Sequence, residues 1–245
     1  MSAAVTILAE LRALGDPQKA ETLATYHKTG REFLGVPAAL LDEMARAQRR
    51  CLSLEARCTL AQELWASDVH EASVFAAKLL TQARIRPDDE KVWRIIADWA
   101  TGFDSWALAD HAAIAGGKRL EADKTRLDEV ETWVQASNLW TRRAALVMTL
   151  PFARKPFPNA VEQAARERVL GWAAVLVPDR DRFIQKAIGW WLRELSRREP
   201  AMVGAFLDGS GAGLTRSARQ EALRLIENPR VRGHGPVGDA PLSGP

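Results

Sequence analysis

The chain has 245 residues, of which 47% are hydrophobic and 27% are charged, proportions that are ordinary for a globular protein in water. This length is sufficient to bury a sizeable core in one domain or two. No stretch approaches the roughly 20 apolar residues of a membrane helix, and the N-terminus lacks a basic region followed by a long apolar run. We therefore expect a soluble cytoplasmic protein rather than a transmembrane or secreted one.

The net charge of +3 is distributed unevenly along the chain. Residues 1–137 carry 17 Lys and Arg against 21 Asp and Glu, a net charge of −4, whereas residues 138–230 carry 16 against 9, a net charge of +7. A basic C-terminal half indicates a polyanionic partner, with nucleic acid as the first choice and an anionic membrane as the second.

The cysteines, histidines and glycines show no spacing that is typical of a metal or cofactor site. Cys51 and Cys58 do not form a C-x-x-C pair, and the four histidines include no H-E-x-x-H, so free thiols in a reducing compartment are predicted. The glycine-rich segment 209–213 follows no predicted strand and lacks the Gly-Lys-Ser/Thr ending of a phosphate loop. We expect neither a metal nor an organic cofactor.

Apolar residues recur at helical spacing along the chain, and prolines fall at wide intervals. No alternating run of β-branched residues is present, so no strand is predicted and the expected fold class is all-α. A tail at 228–245, rich in Gly and Pro, is expected to be disordered, which leaves 1–227 as a single domain. Helices are predicted at 3–14 and 17–26 and, after an ordered loop at 27–37, near 38–50, 53–66, 69–83, 88–100, 105–116, 121–136, 138–150, 159–176, 180–198, 200–207 and 215–227.

The predicted helices are about 12–18 residues long, are joined by short loops and pair at intervals of roughly 35–45 residues, which favours a helical-repeat stack. The repeats are weak as sequences, so the periodicity alone leaves a compact helical bundle open.

The segment 185–194 combines charge and aromatic character in an unusual way. Lys186, Trp190 and Arg193 are four and three residues apart, so they share one helical face. A core helix seldom presents two cations around an indole, whereas a surface that meets sugar-phosphate does. A core tryptophan flanked by solvated cations is an equally weighted alternative. The adjacent Trp191 points elsewhere and is predicted to be core.

Two earlier segments repeat this pattern. Trp106 and Asp110 are four residues apart, and Trp140 and Arg143 are three apart, so each pair shares a helical face. Taken alone, each pair is better explained by a half-buried core tryptophan with a solvated charge one turn away. The functional alternative is that all three segments meet at one site.

Taken together, these segments resemble the AlkD family of HEAT-like-repeat DNA glycosylases. The resemblance runs in order over about residues 5–227, and segment 183–194 carries its most specific part. The matching motifs are Tyr26-His27-Lys28 with Phe33-Leu34-Gly35-Val36, Ser105-Trp106-x-x-x-Asp110, Asn138-Leu139-Trp140-x-x-Arg143-Ala144-Ala145, and Phe183-Ile184-Gln185-Lys186-Ala187-Ile188-Gly189-Trp190-x-Leu192-Arg193-Glu194.

This resemblance implies a right-handed stack of HEAT-like repeats with a concave, basic, DNA-binding face. It also implies base excision repair of duplex DNA, in which cationic N3- or N7-alkylated purines such as 3-methyladenine and 7-methylguanine, and in some members bulkier adducts, are removed. The expected protein is a bacterial, nucleoid-associated, cytoplasmic monomer that needs no cofactor.

Position by position, the resemblance implies that Asp110 is the catalytic carboxylate and that Trp106 and Trp190 are aromatic walls beside it. The implied DNA contacts are Arg143, Lys186, Arg193, Tyr26, Lys28 and Trp140. Two alternatives stay open, namely a helical-repeat protein that binds DNA without cutting it and a protein-binding scaffold. The presence of both Trp106 and Asp110 argues against the first, and the basic C-terminal half argues against the second.

Overall fold

The structure is a computed structural model that describes residues 2–227. Its α-helices are α1 (Ala3–Ala13), α2 (Pro17–His27), α3 (Ala38–Cys51), α4 (Leu54–Trp65), α5 (His70–Leu80), α6 (Glu90–Trp99), α7 (Trp106–Ala122), α8 (Leu127–Trp133), α9 (Leu139–Met148), α10 (Leu150–Arg154), α11 (Ala160–Leu176), α12 (Arg182–Ser196), α13 (Pro200–Asp208) and α14 (Arg216–Glu227). Over this range the extended pairing is one isolated bridge between Glu32 and Val69, so the predicted all-α class is confirmed. The disorder predicted for 228–245 lies outside the described residues.

The described chain divides into two compact units. The first consists of residues 2–82 and Glu90–Ile95, and the second consists of Ala83–Asp89 and 96–227. The single domain expected over 1–227, the handedness of its helix stack and its concave face stay predictions.

In the first unit, a buried glutamate holds the loop that was predicted at 27–37. Glu71 is buried, and its two carboxylate oxygens accept hydrogen bonds from the backbone N–H groups of Leu34 (3.0 Å) and Gly35 (2.7 Å). Gly35 has φ +76°, and a Cβ at this position would lie 2.2 Å from the Asp16 carbonyl oxygen, so only glycine fits. The loop is ordered, as its glycine and proline content predicted.

In the second unit, the backbones of α7 and α9 approach closely where α7 carries two glycines. A Cβ on Gly116 would lie 2.4 Å from Met148 Cε, and one on Gly117 would lie 2.8 Å from the Met148 carbonyl oxygen. The predicted end of this helix at residue 116 is therefore wrong. The helix continues to Ala122 because the glycines that disfavour a helix locally permit close packing on α9.

Two neighbouring boundaries also differ from prediction. The helix expected over 121–136 begins with a 3₁₀ turn at Lys124–Arg126 and ends as α8 at Trp133. The helix expected over 138–150 ends at Met148, and the short α10 follows from Leu150. Pro151 lies in the first turn of α10, a position that proline tolerates because the N–H it lacks has no helical partner there.

Replacing Gly117 with alanine tests this close packing. The new Cβ would meet a backbone oxygen, so we expect the free energy of unfolding to fall by about 1–3 kcal/mol in urea denaturation. Gly171, in α11, is the matched control because a Cβ there has nothing within 4 Å. Gly171→Ala is expected to raise the free energy of unfolding by roughly 0.5–1 kcal/mol, because alanine has the higher helix propensity. A similar gain for Gly117→Ala would contradict the packing.

Candidate functional site

The start of α7 is set by a capping serine, which fixes the position of Asp110. Ser105 has an extended backbone, and its Oγ accepts a hydrogen bond from Leu108 N (3.4 Å). Trp106 is the first helical residue and is half-buried, whereas Asp110 lies one turn later and is buried. The cap therefore determines which face of α7 presents the carboxylate.

The start of α9 is fixed by an asparagine that bonds in two directions. Asn138 Oδ1 accepts from Trp140 N (2.8 Å), and Asn138 Nδ2 donates to the Phe103 carbonyl oxygen (2.9 Å). The Thr141 hydroxyl also donates to a backbone carbonyl just before α7, at Ala100. These bonds anchor the first turn of α9 beside α7.

Asp110 and Arg143 form a bidentate ion pair that joins three helices. Arg143 Nε donates to Asp110 Oδ1 (2.8 Å), and Nη2 donates to Oδ2 (2.8 Å). The third nitrogen, Nη1, donates to the Phe183 carbonyl oxygen in the first turn of α12 (2.8 Å). Asp110 is 3% exposed and Arg143 is 5% exposed. Parts of all three tryptophan-bearing segments therefore meet at this pair.

Two opposing effects act on the charge of Asp110. Burial raises the pKa of the Asp110 carboxyl, while the paired charge and hydrogen bonds of Arg143 oppose that shift. A carboxylate offers about four acceptor positions and a guanidinium five N–H donors, so the pair and the bond to Phe183 together leave about two of each unused. The result is a buried carboxylate that is held in one orientation.

An aromatic residue that was not among the predicted site residues links α9 to α12. The Phe183 ring packs edge-on against Trp140, with 4.7 Å between centroids and 65° between planes. The exposed Arg182 places its guanidinium carbon 4.7 Å from the Phe183 centroid. Phe183 precedes Trp190 by seven residues and so shares its helix face, a spacing that could have identified it.

Trp190 is half-buried on α12, and Lys186, one turn earlier, is exposed. The Trp190 Nε1–H is buried and has no hydrogen-bond partner within residues 2–227. The guanidinium carbon of Arg154 lies 6.0 Å from the centroid of the Trp190 ring, at the outer range of a cation–π contact. Trp191 is fully buried, so the prediction that it belongs to the core is confirmed.

Arg193 forms ion pairs within the protein. Its Nη2 donates to Glu194 Oε1 (2.8 Å), and its Nη1 pairs with Glu221 of α14. Glu194 is buried and also meets Arg154 (3.2 Å) and Arg197 (3.7 Å). The DNA contact predicted for Arg193 stays a prediction, and such a contact would compete with these carboxylates.

The pH dependence of stability tests the arginine cluster around Glu194. Burial alone would raise the pKa of Glu194, but Arg193, Arg154 and Arg197 outweigh it and hold the pKa below its usual value of 4.5. A depressed folded pKa stabilises the protein above the unfolded pKa, and this contribution is lost as the pH falls through the folded pKa.

We therefore expect Glu194→Gln to lower the free energy of unfolding by about 1–3 kcal/mol at pH 7. The difference from the wild type should shrink as urea denaturation is repeated at pH values progressively below 4.5. A difference that stays constant with pH would exclude this ionised carboxylate as the source.

Tyr26 and Lys28, the two predicted DNA contacts from the N-terminal motif, belong to the first unit. Both are exposed at the end of α2. Lys28 adopts the left-handed conformation, with φ 53°, and its N–H caps the helix by donating to the Ala24 carbonyl oxygen (3.0 Å). Their DNA contacts stay predictions.

Within the described range of 2–227, no three His, Cys, Asp or Glu side chains are grouped closely enough to hold a metal ion. No helix over the same range combines the length and apolar character that are needed to cross a membrane.

Residues 2–227 form an all-α fold in which Asp110 and Arg143, expected as a catalytic carboxylate and a DNA contact, form a buried ion pair with each other. A family model described as DNA alkylation repair enzyme matches residues 7–226. The chain belongs to this family. No curated protein matches the chain.

Solved structures show the same fold at low sequence identity. A predicted DNA alkylation repair enzyme from Enterococcus faecalis has a TM-score of 0.70 at 23% identity, covering 87% of this chain and 97% of the other. A member of a family related to the HEAT-like repeat DNA glycosylases, with affinity for branched DNA structures, has a TM-score of 0.68 at 15% identity, covering 92% and 94%. AlkD2 from Streptococcus mutans has a TM-score of 0.56 at 21% identity, covering 78% and 88%.

Proposed function

We propose that this protein is a monofunctional DNA glycosylase, which hydrolyses the N-glycosidic bond of cationic N3- or N7-alkylated purines in duplex DNA. The observation that carries the proposal is the buried Asp110 carboxylate, held by two hydrogen bonds from Arg143 and placed one helical turn from the half-buried Trp106. The enzyme would act as a cofactor-free monomer in base excision repair, in the nucleoid of the bacterial cytoplasm.

A cationic alkylpurine is already a good leaving group, so its release needs no general acid. One carboxylate then suffices where ordinary glycoside hydrolysis uses two. As the bond between base and sugar breaks, positive charge moves onto the deoxyribose. Asp110 stabilises this charge and orients the attacking water, because Arg143 fixes the carboxylate in advance and its free lone pairs remain as acceptors.

The indole rings of Trp106 and Trp190 supply electron-rich faces for the same developing charge. Each such contact contributes about 0.5–2 kcal/mol when it is desolvated. Contacts of this kind favour a cationic substrate over a neutral purine, which leaves too slowly to benefit.

DNA is held through its phosphates rather than through base edges. Lys186 and Arg182 are exposed on α12, and Arg143 keeps about two N–H groups beyond those that bind Asp110 and Phe183. Phosphate contacts position the duplex without reading its sequence. Binding should therefore be independent of sequence and should weaken as salt rises.

The test is base release from duplex DNA that carries a single 7-methylguanine or 3-methyladenine. We expect the wild-type protein to release the free base and to leave an abasic site that alkali cleaves, while undamaged DNA of the same sequence stays intact. DNA binding without release of either base would exclude these two lesions as substrates.

A non-catalytic DNA-binding protein is the second candidate. The supporting observation is that Asp110 and Arg143 are both buried and satisfy each other, as a purely structural ion pair would. A relative by fold is described as having affinity for branched DNA structures. Tight binding to a four-way junction, weaker binding to linear duplex and no base release would support this candidate over the first.

A further inference from the structure

One buried arginine of the first unit differs from the other buried arginines of residues 2–227. The others each pair with a carboxylate, and these pairs are Arg119 with Asp89 (2.7 Å), Arg126 with Asp89 (2.6 Å), Arg143 with Asp110 (2.8 Å) and Arg166 with Glu199 (3.0 Å). Arg57, in the first turn of α4, is 7% exposed and pairs with no carboxylate over the same range. Its Nη1 donates to the neutral Gln82 side chain, and its buried Nε has no hydrogen-bond partner among the described residues. A buried charge of this kind is costly unless a counter-charge neutralises it.

A second arginine near Arg57 also lacks a carboxylate of its own. Arg49 is half-buried on α3, and its Nη1 donates to the Lys78 carbonyl oxygen in the last turn of α5. Burial lowers the pKa of the Arg49 guanidinium, and the positive charges of Arg57 and Arg46 lower it further, whereas Asp42 opposes the shift. The Asp42 carboxylate already binds Lys78 Nζ (2.5 Å). Like charges are therefore held together here with too little negative charge to balance them.

Two exposed arginines extend this positive charge along α3. Arg46 and Arg50 are one helical turn apart and share a face with Arg49. Their Nε groups donate to backbone carbonyl oxygens of α3, Arg46 to Asp42 (3.2 Å) and Arg50 to Arg46 (3.4 Å), and neither forms an ion pair within residues 2–227. Arg46, Arg49, Arg50 and Arg57, which we call the α3–α4 arginine cluster, thus concentrate positive charge in a half of the chain whose net charge is −4.

We propose that the α3–α4 arginine cluster binds phosphate groups of the DNA backbone. A guanidinium is a planar fork of donors that matches the oxygens of a phosphate, and it stays charged at neutral pH. The Cα atoms of Arg46 and Arg50 lie about 6 Å apart along the helix axis, so the cluster can meet more than one phosphate. A bound phosphate supplies the counter-charge that Arg49 and Arg57 lack.

The family of the chain favours DNA as the source of these phosphates, because its model is described as DNA alkylation repair enzyme. None of the four arginines was predicted as a DNA contact, so the cluster is an additional site in the first unit. The inference rests on the DNA binding of the proposed function and does not depend on base release.

Thermal unfolding with inorganic pyrophosphate tests the site without DNA. At constant ionic strength, we expect pyrophosphate to raise the melting temperature of the wild-type full chain, because a ligand that binds only the folded state stabilises it. Arg57→Met and Arg49→Gln should each lose at least about half of this rise. Arg12→Gln is the matched control, since it removes one positive charge from an exposed pair with Glu32 (2.8 Å) in the same unit and should keep the whole rise.

Arg57→Met also distinguishes a binding site from a structural role. Without pyrophosphate, the melting temperature of this variant should match or exceed that of the wild type, because an apolar side chain of similar length replaces a buried charge that has no carboxylate partner within 2–227. A lower melting temperature that pyrophosphate raises as much as in the wild type would show that Arg57 only supports the fold, and would overturn the site.

Binding to an undamaged duplex is the second arm. We expect Arg49→Gln to weaken the affinity about three- to tenfold in about 0.1 M salt, and to reduce the slope of log affinity against log salt by about one. The double variant Arg46→Gln with Arg50→Gln, whose side chains are exposed, should reduce that slope by about two. Arg12→Gln should change the affinity by less than about twofold and keep the wild-type slope.

The outcomes separate this inference from the reaction proposed above. Variants of the α3–α4 arginine cluster that keep the wild-type response to pyrophosphate and the wild-type salt slope would overturn the phosphate site, in favour of an acidic protein segment as partner. Loss of the pyrophosphate response with wild-type DNA affinity would overturn DNA as the ligand, in favour of a small phosphate anion. Loss of both, in a protein whose wild type releases no base, would support the site and overturn the reaction. A wild-type protein that binds no DNA would overturn both.

Discussion

Replacing Arg143 with alanine is expected to lower the free energy of unfolding by about 3–5 kcal/mol, the usual cost of breaking a buried ion pair by removing one partner. Asp110 would remain buried without its counter-ion, and the Phe183 carbonyl oxygen would lose its donor. The opposing effect on the pKa of Asp110 would also disappear, so that pKa should rise further above its ordinary value. A carboxyl whose folded pKa is raised destabilises the fold as the pH rises through that pKa.

The free energy of unfolding that Arg143→Ala loses should therefore be largest at neutral pH and should shrink as the pH falls. Urea denaturation over a range of pH values measures this loss. Arg219→Ala is the matched control, because Arg219 pairs with Asp208 at the surface (3.3 Å) in the same unit. The free energy of unfolding that Arg219→Ala loses should stay within about 1 kcal/mol. Equal losses for the two variants would show that the buried pair has no special role in stability.

Replacing Asp110 with asparagine is expected to reduce base release by about 10²–10³-fold while DNA affinity changes little, because the side chain keeps its shape and loses its charge. The substitution also leaves the buried Arg143 without its counter-charge, so a loss of folded protein must be separated from a loss of chemistry.

Asp89→Asn is the control variant that distinguishes a loss of folded protein from a loss of chemistry. Asp89 accepts hydrogen bonds from two buried arginines of the same unit, Arg119 (2.7 Å) and Arg126 (2.6 Å). Arg119 lies nine residues beyond Asp110 on α7, or about 13 Å along the helix. Asp89→Asn should therefore destabilise the protein in a comparable way and keep base release near the wild-type rate per folded molecule. A matching loss of activity in both variants would count against a chemical role for Asp110.

The helical spacing of apolar residues was enough to predict the all-α class and most helix boundaries, because these depend on local patterns and caps. It failed at Gly116 and Gly117, where α7 continues although glycine disfavours a helix. The reason is tertiary packing, since these glycines admit Met148 of α9 at a distance that no side chain would permit. Information of that kind lies on the partner helix and not in the segment itself.

The site shows the same division between local and distant information. Spacing placed Asp110 and Arg143 on helix faces together with tryptophans, but it could not show that they bind each other, because 33 residues separate them. Likewise, spacing placed Arg193 on one helix face with Lys186 and Trp190 but could not show its partner on another helix. Its ion pair with Glu221, 28 residues later, depends on the packing of α14 against α12. Charges seen in sequence can thus be neutralised by partners that only the fold supplies.

The most direct measurement is the single-turnover rate at which 7-methylguanine is released from duplex DNA by wild type, Asp110→Asn and Asp89→Asn, each corrected for the folded fraction. The account predicts release by wild type and Asp89→Asn, and a rate at least about a hundredfold lower for Asp110→Asn with DNA binding retained. Release by Asp110→Asn at the wild-type rate would contradict the assignment of Asp110 as the carboxylate that stabilises the developing charge.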